Sequence, residues 1–351
     1  MKILTAIGAR PQFIKAAPIS EALKKAGAQE IVVHSGQHYD HGMSQVFFDE
    51  LEMSSPDINL GVGSGSHGKQ TGEMLSGFEN AMIDHRPDWV IVHGDTNSTI
   101  AAALAAVKLQ IKVAHNEAGL RSFNREMPEE HNRVLTDHCA DVLFCPTQTA
   151  VDQLAKEGIG DNVHMVGDVM LDASLRFSEI SAVKSGILTA QDLSAEEYSL
   201  ATLHRPYNVD VKERLEAIFA AFAESKEKIV LPCHPRLAGQ MKKHGMSAPD
   251  TVVLIDPVGY LDMVMLEKNA RMIITDSGGV QKEAYFYSVP CITARPETEW
   301  VETVRAGWNR LVGSKEEIVE AMSTRWWPEE HIDLFGDGRA AERIVQILDE
   351  S

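Results

Sequence analysis

Residues Arg271–Glu283 read RMIITDSGGVQKE, and the fold class follows from how this stretch is understood. Met272, Ile273 and Ile274 make a short apolar run of the kind a parallel strand needs when both its faces are covered. Asp276, Ser277, Gly278 and Gly279 then form a turn with little side chain, and Val280–Tyr287 reads as the helix that follows. Strand, tight turn and helix in that order aim free backbone N–H groups and the positive end of a helix dipole at one point, where a diphosphate fits. Glu283 lies one helical turn further in, so its carboxylate is within reach of sugar hydroxyls beside that phosphate. An ordinary helix entry, capped by Asp276 or Ser277 with glycines for close packing, is the other use of the same residues.

The same strand, polar loop and helix recur in both directions from this stretch. Strands are expected at Ile3–Ile7, Ile31–His34, Trp89–His93, Val113–His115 and Val142–Cys145. A second series follows at Ser199–Leu203, Ile229–Leu231, Val252–Ile255, Met272–Thr275 and Cys291–Thr293. Between them lie helical stretches such as Phe13–Lys25, Ser98–Leu109, Pro128–Cys139, Lys212–Ser225 and Lys315–Met322. Val- and Ile-rich strands alternating with amphipathic helices make an α/β protein whose parallel sheets are covered on both faces. Two series predict two doubly wound, Rossmann-like domains, spanning residues 1–168 and 169–335. Gly336–Gly338 breaks the chain before a last amphipathic helix, and residues 336–351 are expected to pack back on the first domain.

Composition excludes several classes. The apolar fraction of 44% and the charged fraction of 24% suit a globular protein. No apolar run approaches the ~20 residues that span a bilayer, and the N-terminus begins as a strand rather than a signal peptide. A cytoplasmic location is the expectation. A net charge of −18 argues against nucleic acid or an anionic membrane as partner, though local cations can still converge on one phosphate. The scattered Cys139, Cys145, Cys233 and Cys291 read as small buried residues, not as a disulfide frame or metal site.

In open parallel sheets ligands sit outside the carboxyl ends of the strands, and the unusual residues gather there. The first strand leads into Gly8–Lys15, GARPQFIK, which is no dinucleotide fingerprint; Arg10 and Lys15 can face the crevice. The second leads into Gln37, His38, Tyr39 and Asp40. His38, Asp40 and His41 match no common zinc spacing, so a polar loop facing a nucleotide or sugar is the preferred reading and no metal is expected. The third leads into HGDTNST, where Asp95 is either a helix cap or an acid in the crevice. Glu117 follows an apolar strand directly, a costly place for a carboxylate without a job or a partner. Glu129 and Glu130 suit the positive end of a helix opened by Pro128. The second series adds cations and hydrogen-bonding groups at His204, Arg205 and His234.

Together GARPQFIK, SGQHYD, HGDTNST, EAGLRS, MPEEHNR, HRP, CHPR and DSGGVQKE, in this order along the whole chain, resemble the non-hydrolysing UDP-N-acetylglucosamine 2-epimerase family. FNREMPEE and ETEWVET bring the chain nearer a subgroup that includes epimerases of UDP-2,3-diacetamido-2,3-dideoxyglucuronic acid, used in surface polysaccharides. The resemblance implies two Rossmann-like domains in the glycosyltransferase-B arrangement, an active site in the cleft between them, a homodimer, a UDP-sugar substrate and no cofactor. It assigns diphosphate contacts to Arg10, His204, Ser277, Gly278 and Gly279, and ribose contacts to Glu283. Asp95, Glu117 and Glu129 match the family's acid/base carboxylates, and Lys15 its active-site lysine. Two departures stand out: Val258 and Met263 where many members have Gln and Phe around the uracil, and Trp300 where they have the Arg of an ERPE segment. A glycosyltransferase of the same architecture is the alternative, and it leaves the carboxylate trio without a function.

Overall fold

The computed structural model describes residues 1–36, 55–324 and 326–351, with the backbone alone of Arg10. Gln37, His38, Asp40 and His41 lie outside the described residues. The chain forms two compact units, Met1–Leu175 with Phe335–Ser351, and Arg176–Leu334.

In the first unit the strands are β1 (Lys2–Ile7), β2 (Gln29–His34), β3 (Ile58–Asn59), β4 (Trp89–His93), β5 (Lys112–Asn116), β6 (Val142–Cys145) and β7 (Val163–Met165). They form one sheet in the order β3-β2-β1-β4-β5-β6-β7, every pairing parallel. Successive side chains point to opposite faces, so β1 sends Ile3 one way and Leu4 and Ala6 the other, and β4 divides Trp89 and Ile91 from Val90 and Val92. Met74, Phe78 and the alanines of the helix Asn97–Lys108 cover one face. Ile19 and Leu23 cover the other, with Ile344 and Leu348 of the terminal helix Ala340–Glu350. Asp172 fixes the start of that helix, accepting the Ala340 and Ala341 N–H groups at 3.2 and 2.8 Å.

The second unit repeats the plan with β8 (Ser199–Thr202), β9 (Ile229–Pro232), β10 (Val252–Ile255), β11 (Met272–Thr275), β12 (Cys291–Thr293) and β13 (Asn309–Leu311). Their order is β10-β9-β8-β11-β12-β13, again all parallel. In the opening stretch Met272 and Ile274 pack with Leu215, Ile218 and Phe222 on one face. Ile273 packs with Leu266, Val280 and Ala284 on the other.

Both sheets therefore reverse their winding beside their first strand, between β1 and β4 and between β8 and β11. At such a point neighbouring loops leave in opposite directions and open a crevice beyond the strand ends. The structure adds β3, β7 and β13 to the expected strands. Each is an edge strand of two or three residues, too short to carry an alternating pattern. Cys145 and Cys291 are buried and Cys139 and Cys233 half-buried, all as free thiols. No described helix is long and apolar enough to cross a membrane.

Candidate active site

At the reversal in the first unit, Gln12 ties the loops after β1 and β4 together. Its Oε1 accepts the Gly8 and Ala9 N–H groups at 2.8 and 3.0 Å. Its amide nitrogen reaches the His93 carbonyl at 2.9 Å and the hydroxyls of Thr96 and Thr99, both at 3.0 Å. Thr96, rather than Asp95, caps the following helix, accepting the Thr99 N–H. Asp95 is thereby released from capping. It forms an ion pair with Arg133, whose other terminal nitrogen is 2.8 Å from Glu130.

Glu117 adopts a left-handed backbone, φ +70°, which turns its side chain back across the strand ends. There it meets Lys15 at 2.7 Å, the two side chains 9% and 11% exposed. A β-branched or bulky residue would resist this angle strongly, and glutamate still pays about 1 kcal/mol for it. Gly94, φ +61°, lies against the pair: a Cβ there would sit 3.2 Å from the Lys15 nitrogen and 3.6 Å from Glu117 Oε1. The Gly94 carbonyl is held by His115 Nε2 at 2.8 Å, and His115 Nδ1 is 2.7 Å from Asp137. Burial opposes the Asp137 charge, but His115 and Arg121 hold its carboxyl below the usual carboxylate range. His93 is fully buried behind this cluster. Burial, then the Lys15 charge, push it down to about 3, so its imidazole is neutral.

The two glutamates opening the helix Pro128–Cys139 differ. Glu130 is buried and fully engaged, accepting the Ser122 and Phe123 N–H groups at 2.9 and 2.8 Å as well as the Ser122 hydroxyl at 2.9 Å. Those bonds and Arg133 outweigh burial and keep it below its ordinary value. Glu129 is half-buried and makes no hydrogen bond or ion pair among the described residues. Glu130 is structural in its contacts; Glu129 is the acid available for another partner.

In the second unit Asp276, fully buried at the end of β11, accepts the backbone N–H groups of His204 (3.1 Å) and Arg205 (3.0 Å) and the Asn208 amide (3.0 Å). His204 Nδ1 is 3.1 Å from the same carboxylate. Burial opposes this charge too, yet His204 and Asn208 hold it below the ordinary range. Asp276 thus braces the turn after β8, and Ser277 is the cap of the helix Gly278–Phe286. The His204 ring stands 5.7 Å from that of His234, whose own Nδ1 accepts the Arg236 N–H at 3.1 Å. Arg205 Nε has no partner among the described residues.

The first N–H groups of the helix Gly278–Phe286 precede its first internal bond. Neither Gly278 nor Gly279 has a positive φ, and a Cβ on either would meet nothing closer than 3.8 Å. The protein itself does not require glycine there; a bare backbone leaves those N–H groups open to close approach by an anion. Around the turn stand Glu299 and the Trp300 indole nitrogen, each 3.9 Å from the Cβ position of Gly278, and Glu283 Oε2, 3.8 Å from that of Gly279. Lys282, only 2% exposed, places its ammonium 4.0 Å above the Trp300 ring. Tyr260 donates its hydroxyl to Glu283 at 3.2 Å. Val258 lines a concavity of about 560 Å³ with Cys233, Asp256 and Pro257, and both Val258 and Met263 pack against the core.

The sequence reading assigned no role to Gln12, Arg133, the His115–Asp137 pair or Lys282. Their signals were present only as polar residues at positions the strand and helix pattern buries. Among the described residues no cluster of three metal-ligating side chains occurs.

A family model described as UDP-N-acetylglucosamine 2-epimerase matches residues 21–349. A Methanococcus maripaludis protein described as a UDP-N-acetylglucosamine 2-epimerase homolog is 53% identical over 99% of both chains. The UDP-2,3-diacetamido-2,3-dideoxy-D-glucuronate 2-epimerase of Pseudomonas aeruginosa is 46% identical, again over 99% of both. Among solved structures, the Methanocaldococcus jannaschii UDP-GlcNAc 2-epimerase in complex with UDP-GlcNAc and UDP superposes with a TM-score of 0.91 at 44% identity, covering 100% of each chain.

Proposed function

The chain belongs to the UDP-N-acetylglucosamine 2-epimerase family, and we propose that it inverts C2 of a UDP-linked 2-acetamido sugar without hydrolysing it. The substrate is UDP-N-acetylglucosamine or a diacetamido-uronate relative. The observation that carries this reading is the Lys15–Glu117 pair folded back against Gly94, one residue before Asp95. Acids so concentrated at one strand-end cluster suit proton transfer more than sugar transfer, which needs one base and an acceptor.

The C2 proton of a 2-acetamido sugar has no neighbouring ketone to acidify it. Breaking the C1–O bond first, or together with proton loss, creates an oxocarbenium-like centre that acidifies C2–H and attracts carboxylates. UDP leaves with the bonding electron pair. Its diphosphate charge is received by the N–H groups of Ser277–Gly279, with Arg10, His204 and Arg205 as cations and donors. A carboxylate takes the C2 proton, and a 2-acetamidoglycal results. Re-addition of UDP at C1 with proton delivery to the opposite face of C2 completes the inversion, so acids are needed on both faces. Asp95, Glu117 and Glu129 fill those roles, with Lys15 paired to Glu117. Glu283 receives the ribose hydroxyls, and His234 adds a donor beside His204; Gln37 and His38 complete the sugar side. The resemblance further supports a cytoplasmic homodimer serving surface polysaccharide synthesis.

The test is incubation with UDP-N-acetylglucosamine, and separately with its diacetamido-uronate relative, in D2O. Deuterium at C2 with a gluco/manno mixture is the expected result. Acceptor-dependent sugar transfer without C2 exchange, or binding without turnover, overturns the reading.

A further inference from the structure

Behind the turn at Gly278 and Gly279 lies a second acid that the proposed chemistry does not use. Glu267, on the helix Tyr260–Lys268, is 0% exposed, and neither carboxyl oxygen has a hydrogen-bond partner among the described residues. An ionised carboxylate in that state would forfeit its hydration and gain nothing in return. Its electrostatic neighbour is Glu283, itself buried, and two like charges cannot both persist in one apolar site.

No cation pairs with Glu267 among the described residues. Tyr198, at the lead into β8, gives its hydroxyl to the Leu266 carbonyl at 2.6 Å. Cys291 of β12 is a buried thiol pushed up to about 12 by burial, with its thiol hydrogen-bonded toward Thr293. Tyr260, two turns before Glu267 on the same helix, donates to Glu283 Oε1; Tyr287 adds another phenol near it. Lys268, the next residue, reaches away to Ser178 at 2.7 Å. Glu283 therefore has a donor, and Glu267 has none among the described residues. The asymmetry decides which acid ionises.

We infer that Glu267 is a positioning residue for the nucleotide: it retains the proton of a buried carboxyl pair and so leaves the negative charge on Glu283. The inference rests on Glu283 being the ribose acceptor proposed above. An anionic carboxylate accepts from both hydroxyls of a vicinal diol, which a protonated one does less well. Burial and Glu283 together push Glu267 well above its ordinary value, in keeping with this arrangement. Ionising Glu267 at alkaline pH would put two charges side by side and drive Glu283 from its position.

Two measurements on the full chain test this, with UDP as the probe. Infrared difference spectra between the wild type and Glu267→Gln at neutral pH should show the carbonyl stretch of a protonated carboxyl lost in the variant. UDP affinity of the wild type, by calorimetry, should fall with rising alkaline pH by up to about tenfold per unit, the limit for one linked proton. Glu267→Gln, which is neutral at every pH, should match the wild type within about twofold at neutral pH and show no such fall. Absence of the protonated-carboxyl signal, a flat wild-type profile, or parallel profiles in the two proteins overturns the inference. If Glu267→Gln does not fold, infrared titration of the wild type alone decides whether a buried carboxyl is protonated at neutral pH. Failure of the wild type to bind UDP at all would count against the proposed function, while the infrared signal would still decide the state of Glu267.

Discussion

Lys15 and Glu117 lie 102 positions apart in sequence but 2.7 Å apart in the fold, one from the helix after β1 and the other from the residue after β5. Each is the other's reason for tolerating burial. Lys15→Met should therefore strand a carboxylate and destabilise the protein by about 3 kcal/mol, as breaking a buried pair does. The double variant with Glu117→Gln should recover most of that loss in denaturant unfolding. C2 exchange should fall by at least about 100-fold in both single variants and stay low in the double, because a general base contributes about that much. Recovery of exchange in the double variant would show that the pair serves stability alone.

Gly94 couples the backbone to this pair. Its φ of +61° and the 3.2 Å left for a Cβ beside the Lys15 nitrogen mean that Gly94→Ala strains the turn by about 1 kcal/mol. It also displaces the ammonium. The expected outcome is a modest drop in melting temperature with a disproportionate loss in kcat, while KM for the UDP-sugar changes little, since the nucleotide contacts lie elsewhere. A loss confined to KM would contradict this.

Much of this was legible before the fold. The apolar run Met272–Ile274 divides between two cores as a covered strand must, and Glu117 was conspicuous as a carboxylate at the end of an apolar strand. What stayed hidden depends on long-range closure. Gln12 lies inside the first motif, but its partners His93 and Thr99 are 81 and 87 residues away. Nothing local distinguishes it from a solvated glutamine. Arg133 finds Asp95 across 38 residues. Of the adjacent Glu129 and Glu130, equally good N-terminal charges by sequence, only the loop Ser122–Phe123 folding onto Glu130 tells them apart.

Asp276 should control both acid stability and nucleotide affinity. Its folded-state pKa is depressed, so its contribution is fully present above the unfolded value of about 3.9 and is lost as pH falls through the lower folded value. Asp276→Asn removes this dependence. The stability gap between wild type and variant, about 1–3 kcal/mol near neutrality from the unsatisfied backbone donors, should narrow below about pH 4. UDP binding by the variant should weaken roughly tenfold, since releasing His204 and Arg205 costs about one charge-assisted hydrogen bond. A stability gap that widened in acid would refute the assignment.

Trp300, which the resemblance sets where many family members have an Arg, forms the wall of the turn beside Gly278 together with Lys282. With the ammonium 4.0 Å above the ring and both side chains nearly inaccessible, the contact should contribute about 1–2 kcal/mol. Lys282→Met should lose that amount and Trp300→Phe, which keeps a weaker ring, less. Trp300→Arg brings two cations together beside Gly278 and should destabilise more than either. Measured as kcat/KM on UDP-N-acetylglucosamine and on the diacetamido-uronate relative, Trp300→Phe should leave the ratio of the two substrates near its wild-type value. Trp300→Arg should change that ratio by roughly tenfold or more, the scale of a single altered charge contact. An unchanged ratio in Trp300→Arg, with the protein folded, would place substrate choice outside this wall.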